Sequence, residues 1–240
     1  MGGVTIQTPN LDRMAAEGIR MNNLFAGAPV CAPTRCSLLT GKHSGHTSVR
    51  ANGGGTPLRA DEVTIASILK QHGYATGGFG KWGCGGRDST GVPEKHGFDL
   101  FFGYYDQVHA YTYYPPYLIR NSQEVKLEGN YGGSGGKTYS QYVIHEAAKT
   151  FIREHAKEPF FAYLPYTPPH GNFDIPDTDP SWTIYEGGLR VPFIARWLTA
   201  QATQAHEPVV EGTFASTDRH ERDRRAKFGK QDDPKVPKPN

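Results

Sequence analysis

Four stretches of the chain carry residue types at spacings that can do chemistry. Residues 78–83, G-F-G-K-W-G, match the glycine pattern of a dinucleotide loop, but those glycines should open a helix, and the stretch that follows is broken throughout by Gly and Pro. Residues 132–136, G-G-S-G-G, have the spacing of a nucleophile elbow at Ser134, yet no apolar strand precedes it and no close-packed helix start follows, so the stretch reads as a flexible loop. It ends in G-G-K-T, where a phosphate loop needs glycine at the position of Tyr131. The fourth is C-A-P-T-R-C-S-L-L-T-G at 31–41. It is not a cysteine-phosphatase loop, because Ser37 stands six positions beyond Cys31 where arginine is required. Cys31 is followed by Pro33 and Arg35 and runs into an apolar helix that Gly41 ends. One helical turn apart, Cys31 and Arg35 face the same side.

The elements that must position these residues follow from pattern and caps. Thr8-Pro9 predicts a helix start, with Leu11, Met14 and Ala15 on one face and Gly18 as terminator. A second helix is expected over 61–72, with Asp61 as possible cap and Gly73 beyond its end, then a strand over 74–82. A longer helix is predicted over 139–156, and the apolar runs at 159–166 and 190–197 read as buried strands. Helices alternating with apolar strands predict an α/β fold, a mostly parallel sheet flanked by helices. Two features are incomplete for such a fold: no hydrophobic strand precedes the first helix, and no crossover helix lies between His170 and Tyr185.

Composition narrows the class. With 240 residues the chain can bury a sizeable core, and no apolar run approaches the roughly 18 residues of a membrane span. Its 29 glycines and 18 prolines argue for a loop-rich enzyme and against coiled coil. Residues 218–240 hold eight Lys/Arg against five Asp/Glu and almost no apolar residue, and read as a disordered charged tail; residues 1–217 read as the catalytic domain. The interleaved acids argue against a nucleic-acid partner, and no membrane partner is expected. Cys31, Cys36 and Cys84 are an odd set with neither disulfide nor zinc spacing, and the first residues show no secretory signal.

The 31–41 block resembles the signature of the formylglycine-dependent sulfatases, the arylsulfatase family of the alkaline-phosphatase-like superfamily. The runs at 8–27, 73–83, 159–170 and 185–197 resemble further blocks of that family, in family order. The resemblance implies an alkaline-phosphatase-like core and a sulfuric ester hydrolase in which Cys31 is oxidised to an aldehyde. Hydrated to a gem-diol, that side chain attacks sulfur with one hydroxyl and expels sulfate with the other. It further implies that Arg35 holds the diol oxygens, that Lys81 of the G-K-W block supplies positive charge, and that His170, closing T-P-P-H, assists the leaving oxygen. A calcium ion belongs to the family site, and Cys31 is the only family ligand matched here. Asp174, Asp177 and Asp179 match no motif.

Other departures follow from the same comparison of residues. The family histidine after G-K-W is replaced by Gly83, and the lysine expected before Y-E-G-G aligns near Ser181. The chain therefore reads as a sulfatase core incomplete at its N-terminus, internally and beyond Trp197. The implied partners are a sulfated small molecule or carbohydrate and a formylglycine-generating enzyme; relatives of this kind are periplasmic, secreted or lysosomal. Two alternatives stand beside the hydrolase: an inactive fragment lacking the calcium carboxylates, and a phosphate or phosphonate ester hydrolase. His43, His46, His72 and His109 are expected to be bystanders, and the aromatic stretch 101–121 either packs or stacks on a substrate ring.

Overall fold

The computed structural model describes residues 8–21, 24–52, 56–132, 135–168, 170, 176 and 193–196. All belong to one compact unit, Met1–Trp197; the charged tail and Ser134 lie outside the described residues. Helix α1, Pro9–Ala16, starts at Thr8-Pro9 as expected but buries none of its residues fully. Strand β1, Ile19–Met21, follows directly. Gly18 lies between them for a reason other than helix termination: a Cβ there would meet the Ala195 carbonyl oxygen at 2.2 Å. Ala195 belongs to strand β7, Phe193–Ala195, which pairs antiparallel with β1, and Arg196 closes the corner with a 2.6 Å ion pair to Glu17. Of the 190–197 run, the described residues 193–196 contain three residues of strand, in a separate two-stranded sheet.

Helix α2, Cys31–Thr40, ends at Gly41 in the left-handed conformation, as its sequence predicts. Helix α3 spans Ile65–Gln71 rather than 61–72. Asp61 is an exposed turn residue facing Arg59; the cap is Thr64, whose hydroxyl accepts the Ser67 N–H at 3.1 Å while the Ser67 hydroxyl accepts the Thr64 N–H at 2.9 Å. Strand β2, Ala75–Lys81, lies inside the predicted 74–82. Strands β3 (Leu100–Tyr104), β4 (Tyr117–Arg120) and β5 (Gln123–Lys126) come from a region with no predicted strand. Helix α4, Ser140–Glu154, and strand β6, Phe160–Tyr163, fall within their predicted windows.

The main sheet has the order β5-β4-β3-β2-β6. β2 pairs parallel with both β3 and β6, while β4 pairs antiparallel with β3 and β5, so the α/β sheet is mixed. Among the described residues β6 is an edge strand, and its four residues are half-buried rather than buried. Alternation divides the strand side chains between two layers. Phe101 and Ile119 join Cys36, Leu39, Ala66 and Trp82 beneath α2 and α3, whereas Phe79, Phe102 and Leu118 join Ile144, Ala148 and Phe151 of α4. Removing one such ring, as in Phe151→Ala, carries a cost of about 3–5 kcal/mol. This three-layer packing fixes the carboxyl ends of β2, β3 and β6 side by side.

Candidate active site

Val30 enters α2 from extended backbone and offers no capping side chain, so the first turn is held from outside. Asn52 Oδ1 accepts the Ala32 N–H at 2.9 Å, and Thr34 Oγ1 donates to the Ala28 carbonyl at 2.6 Å. Cys31 is the first residue of this ten-residue helix, at the positive end of its dipole, and is half-buried. Cys36 and Cys84 are fully buried, and that burial pushes both thiols above the usual range, Cys84 the further. Of the three, Cys31 is the one that is not fully buried.

Arg35 lies one turn further and donates from Nη1 to the Lys81 carbonyl at 2.6 Å, tying α2 to the last residue of β2. Lys81 is 1% exposed, yet its Nζ has no hydrogen-bond partner among the described residues. The amine sits 4.8 Å from the centroid of the Tyr111 ring. Its burial lowers the lysine pKa; Cys31 and Asp106 oppose that shift and Arg35 adds to it. Arg35 Nε is also buried without a partner. Buried donors left unpaired are costly in a finished core, and two cationic ones beside an accessible sulfur are what an oxyanion would complete.

His170, beyond the end of β6, donates its N–H to the Thr167 carbonyl at 3.0 Å, and its own carbonyl accepts from Tyr113 Oη at 2.7 Å. Its ring stacks on Tyr111 with centroids 4.8 Å apart. The structure therefore brings Cys31, Arg35 and Lys81 together directly, and His170 reaches them through Tyr111. Lys81, the turn after β3 and His170 all follow the carboxyl ends of parallel strands, where open α/β sheets place their ligands.

Two residues of this region were not singled out by sequence. Tyr111 differs in no local signal from Tyr113 and Tyr114, which are buried in an aromatic cluster with Tyr139. Gln107, buried in the turn after β3, donates from Nε2 to the Gly83 carbonyl at 3.4 Å. Of the histidines set aside, His109 is a packing residue: its ring lies against Tyr104 and Tyr117, and burial lowers its pKa. His43 and His46 face each other edge to face, and His72 ends α3. The glycines of 78–83 lie in β2 and the turn after it, not at a helix start, in keeping with the dismissal of a dinucleotide loop.

The described residues do not form a calcium site. No three Asp, Glu, His or Cys side chains among them come close enough to share a metal. The carboxylate that Lys81 senses, Asp106, accepts the Val108 and His109 N–H groups at 2.7 and 3.1 Å. Asp174, Asp177 and Asp179 lie outside the described residues. No helix among the described residues is long and apolar enough to cross a membrane.

The chain is similar in sequence and in fold to known sulfatases. The chain is 34% identical over 174 residues to the ulvan-active sulfatase of Formosa agariphila, covering 70% of this chain and 32% of that protein. It is 43% identical over 116 residues to human arylsulfatase D, covering 42% and 20%. The crystal structure of Ps i-CgsB superposes with a TM-score of 0.63 at 27% identity, over 73% of this chain and 43% of that one. The structure of BT4656 with its substrate D-glucosamine-2-N,6-O-disulfate superposes at 0.57 and 30% identity, over 71% and 31%. The chain thus spans about a fifth to a third of the length of these curated relatives. The sulfatase family model matches residues 1–181, a stretch that contains Cys31, Arg35, Lys81 and His170, and the chain belongs to that family.

Proposed function

We propose that this chain carries the nucleophile and anion-binding part of a sulfuric ester hydrolase, acting on a sulfated carbohydrate or small molecule through a formylglycine made from Cys31. The observation that carries the reading is the buried Lys81 amine, without a hydrogen-bond partner among the described residues, beside the half-buried Cys31 and Arg35. A sulfate monoester shields its sulfur with charged oxygens, so attack requires cations on those oxygens and a proton for the leaving group. Once oxidised and hydrated, the residue 31 side chain supplies one hydroxyl to attack sulfur and a second to expel sulfate. Arg35 offers a guanidinium fork and Lys81 a compact charge to the ester oxygens. The α2 N-terminus adds its partial positive charge, and Tyr111 keeps water from one side of the amine. His170, oriented by its stacking on Tyr111, gives a proton to the leaving oxygen. The relatives named for ulvan and solved with a disulfated glucosamine support a carbohydrate as the alcohol.

A second reading, anion binding without turnover, is favoured by the lack of a carboxylate cluster among the described residues. One experiment separates the two. The full chain, co-expressed with a formylglycine-generating enzyme and checked by mass for conversion of Cys31, is assayed on an aryl sulfate against Cys31→Ala. Turnover that falls at least a thousandfold in the variant supports the hydrolase. Converted protein that binds inorganic sulfate but releases none from the ester leaves the second reading standing.

A further inference from the structure

Gln107 follows β3 by three residues, in a turn fixed by the two N–H groups that Asp106 accepts, and is 5% exposed. Its carboxamide fills the space that a side chain at position 83 would take: a Cβ on Gly83 would lie 2.0 Å from Gln107 Nε2, 2.9 Å from its Cδ and 3.6 Å from Arg35 Cδ. Gly83 has φ +78, so glycine and glutamine are matched, and any larger residue at 83 meets both backbone strain and this amide. The orientation of the carboxamide follows from chemistry. The Gly83 carbonyl can only accept, so the amide turns its NH2 to it and its oxygen away. That oxygen, Oε1, is buried with no hydrogen-bond partner among the described residues. Gln107 and Arg35 both border position 83, and Arg35 is bonded to the Lys81 carbonyl, so Arg35 Nε and Lys81 Nζ, likewise unpartnered, lie in the same neighbourhood.

An oxyanion would take up the two cationic donors but offers no hydrogen to an acceptor. The orphaned Oε1 therefore calls for a donor carried on the same ligand, next to its charged group. Resting on the sulfate-ester reading above, we infer that Gln107 is a specificity-determining residue, whose Oε1 accepts a hydroxyl on the alcohol side of the bound ester. The matching ligand is an ester whose sulfated carbon is flanked by O–H, as in a sugar ring, and not a simple alkyl or aryl sulfate. A site built to bond a hydroxyl discriminates against ligands that lack it, because its own buried group is then left unpaired.

The test is calorimetric binding of three probes to the full chain: inorganic sulfate, D-glucose 3-sulfate and ethyl sulfate. Wild type is expected to hold the sugar sulfate about tenfold more tightly than ethyl sulfate, in line with one buried hydrogen bond. Gln107→Met, similar in shape but without the acceptor, is expected to lose that tenfold preference while keeping inorganic sulfate affinity within about twofold. A preference that survives in Gln107→Met overturns the inference, as does equal weakening for all three probes. Should the variant fail to fold, the wild-type comparison still decides, since equal affinity for the sugar and ethyl esters also overturns it. Wild type that binds no inorganic sulfate removes the anion site itself, and with it both this inference and the reading on which it rests.

Discussion

At the scale of single residues the site is built from groups that destabilise the fold. Lys81 is the clearest case, a cation enclosed by protein whose amine, beside the Cys31 side chain, has no hydrogen-bond partner of full geometry among the described residues. Because burial lowers its pKa, the unfolded chain binds the proton more tightly than the folded one. The penalty is complete below the folded-state pKa, shrinks as pH rises through the window up to the ordinary lysine value, and is gone above it. Stability should therefore rise with pH across that window. Lys81→Met removes both the slope and the unpaired group, and should stabilise the protein at neutral pH by about 1–3 kcal/mol while abolishing any rise in Tm on adding sulfate. Urea unfolding at pH 7 and pH 10, with and without sulfate, measures this; a variant less stable than wild type at pH 7 would contradict it. On the proposed function, activity and stability pull in opposite directions at this residue, as expected of preorganised charge.

At the scale of elements, what could be read in the sequence depended on whether local chemistry announced itself. Helices α1, α2 and α4 and strand β2 carry standard signals: Thr8-Pro9, the terminating Gly41, a long amphipathic run, and an apolar stretch after a helix end. Helix α3 was displaced because its capping box uses Ser67 where Glu or Gln is usual, so Asp61 looked the better cap. Thr64→Ala should cost about 1–2 kcal/mol in thermal or urea unfolding and leave sulfate affinity unchanged, since among the described residues its hydroxyl bonds Ser67 and the His96 carbonyl, both away from the site. The β4–β5 hairpin went unseen for a similar reason. Its two-residue turn, Asn121-Ser122, has both φ values positive, at 44 and 65, a geometry that Asn-Gly signals plainly and Asn-Ser does not. Of the site, Cys31, Arg35, Lys81 and His170 were legible because short blocks hold them. Gln107 and Tyr111 were not, since their roles arise only when the turn after β3 folds back over Gly83 and Lys81.

At the scale of the whole molecule, the site exists only if α2 and the carboxyl ends of β2, β3 and β6 are assembled together, so anion binding and folding of the main sheet should be coupled. The weak point of that assembly is β6. It contributes Phe160–Tyr163 and the approach to His170, pairs with β2 on one side, and among the described residues has no strand on the other. All four residues, two Phe, one Ala and one Tyr, are half-buried, so the free edge combines open backbone groups with apolar side chains and no charge. Such an edge is a template for pairing with a second chain. The full chain should therefore self-associate as concentration rises, with little dependence on salt, because apolar contact and backbone pairing drive it rather than charge. Sedimentation velocity over a hundredfold concentration range, at low and high salt, reads this directly. Association that weakens in Ala162→Lys, which sets a charge on the edge strand, assigns the contact to β6. A monodisperse chain at the highest concentration would mean instead that residues outside the described range cover that edge, and the same segment would then be the place to seek the missing carboxylates.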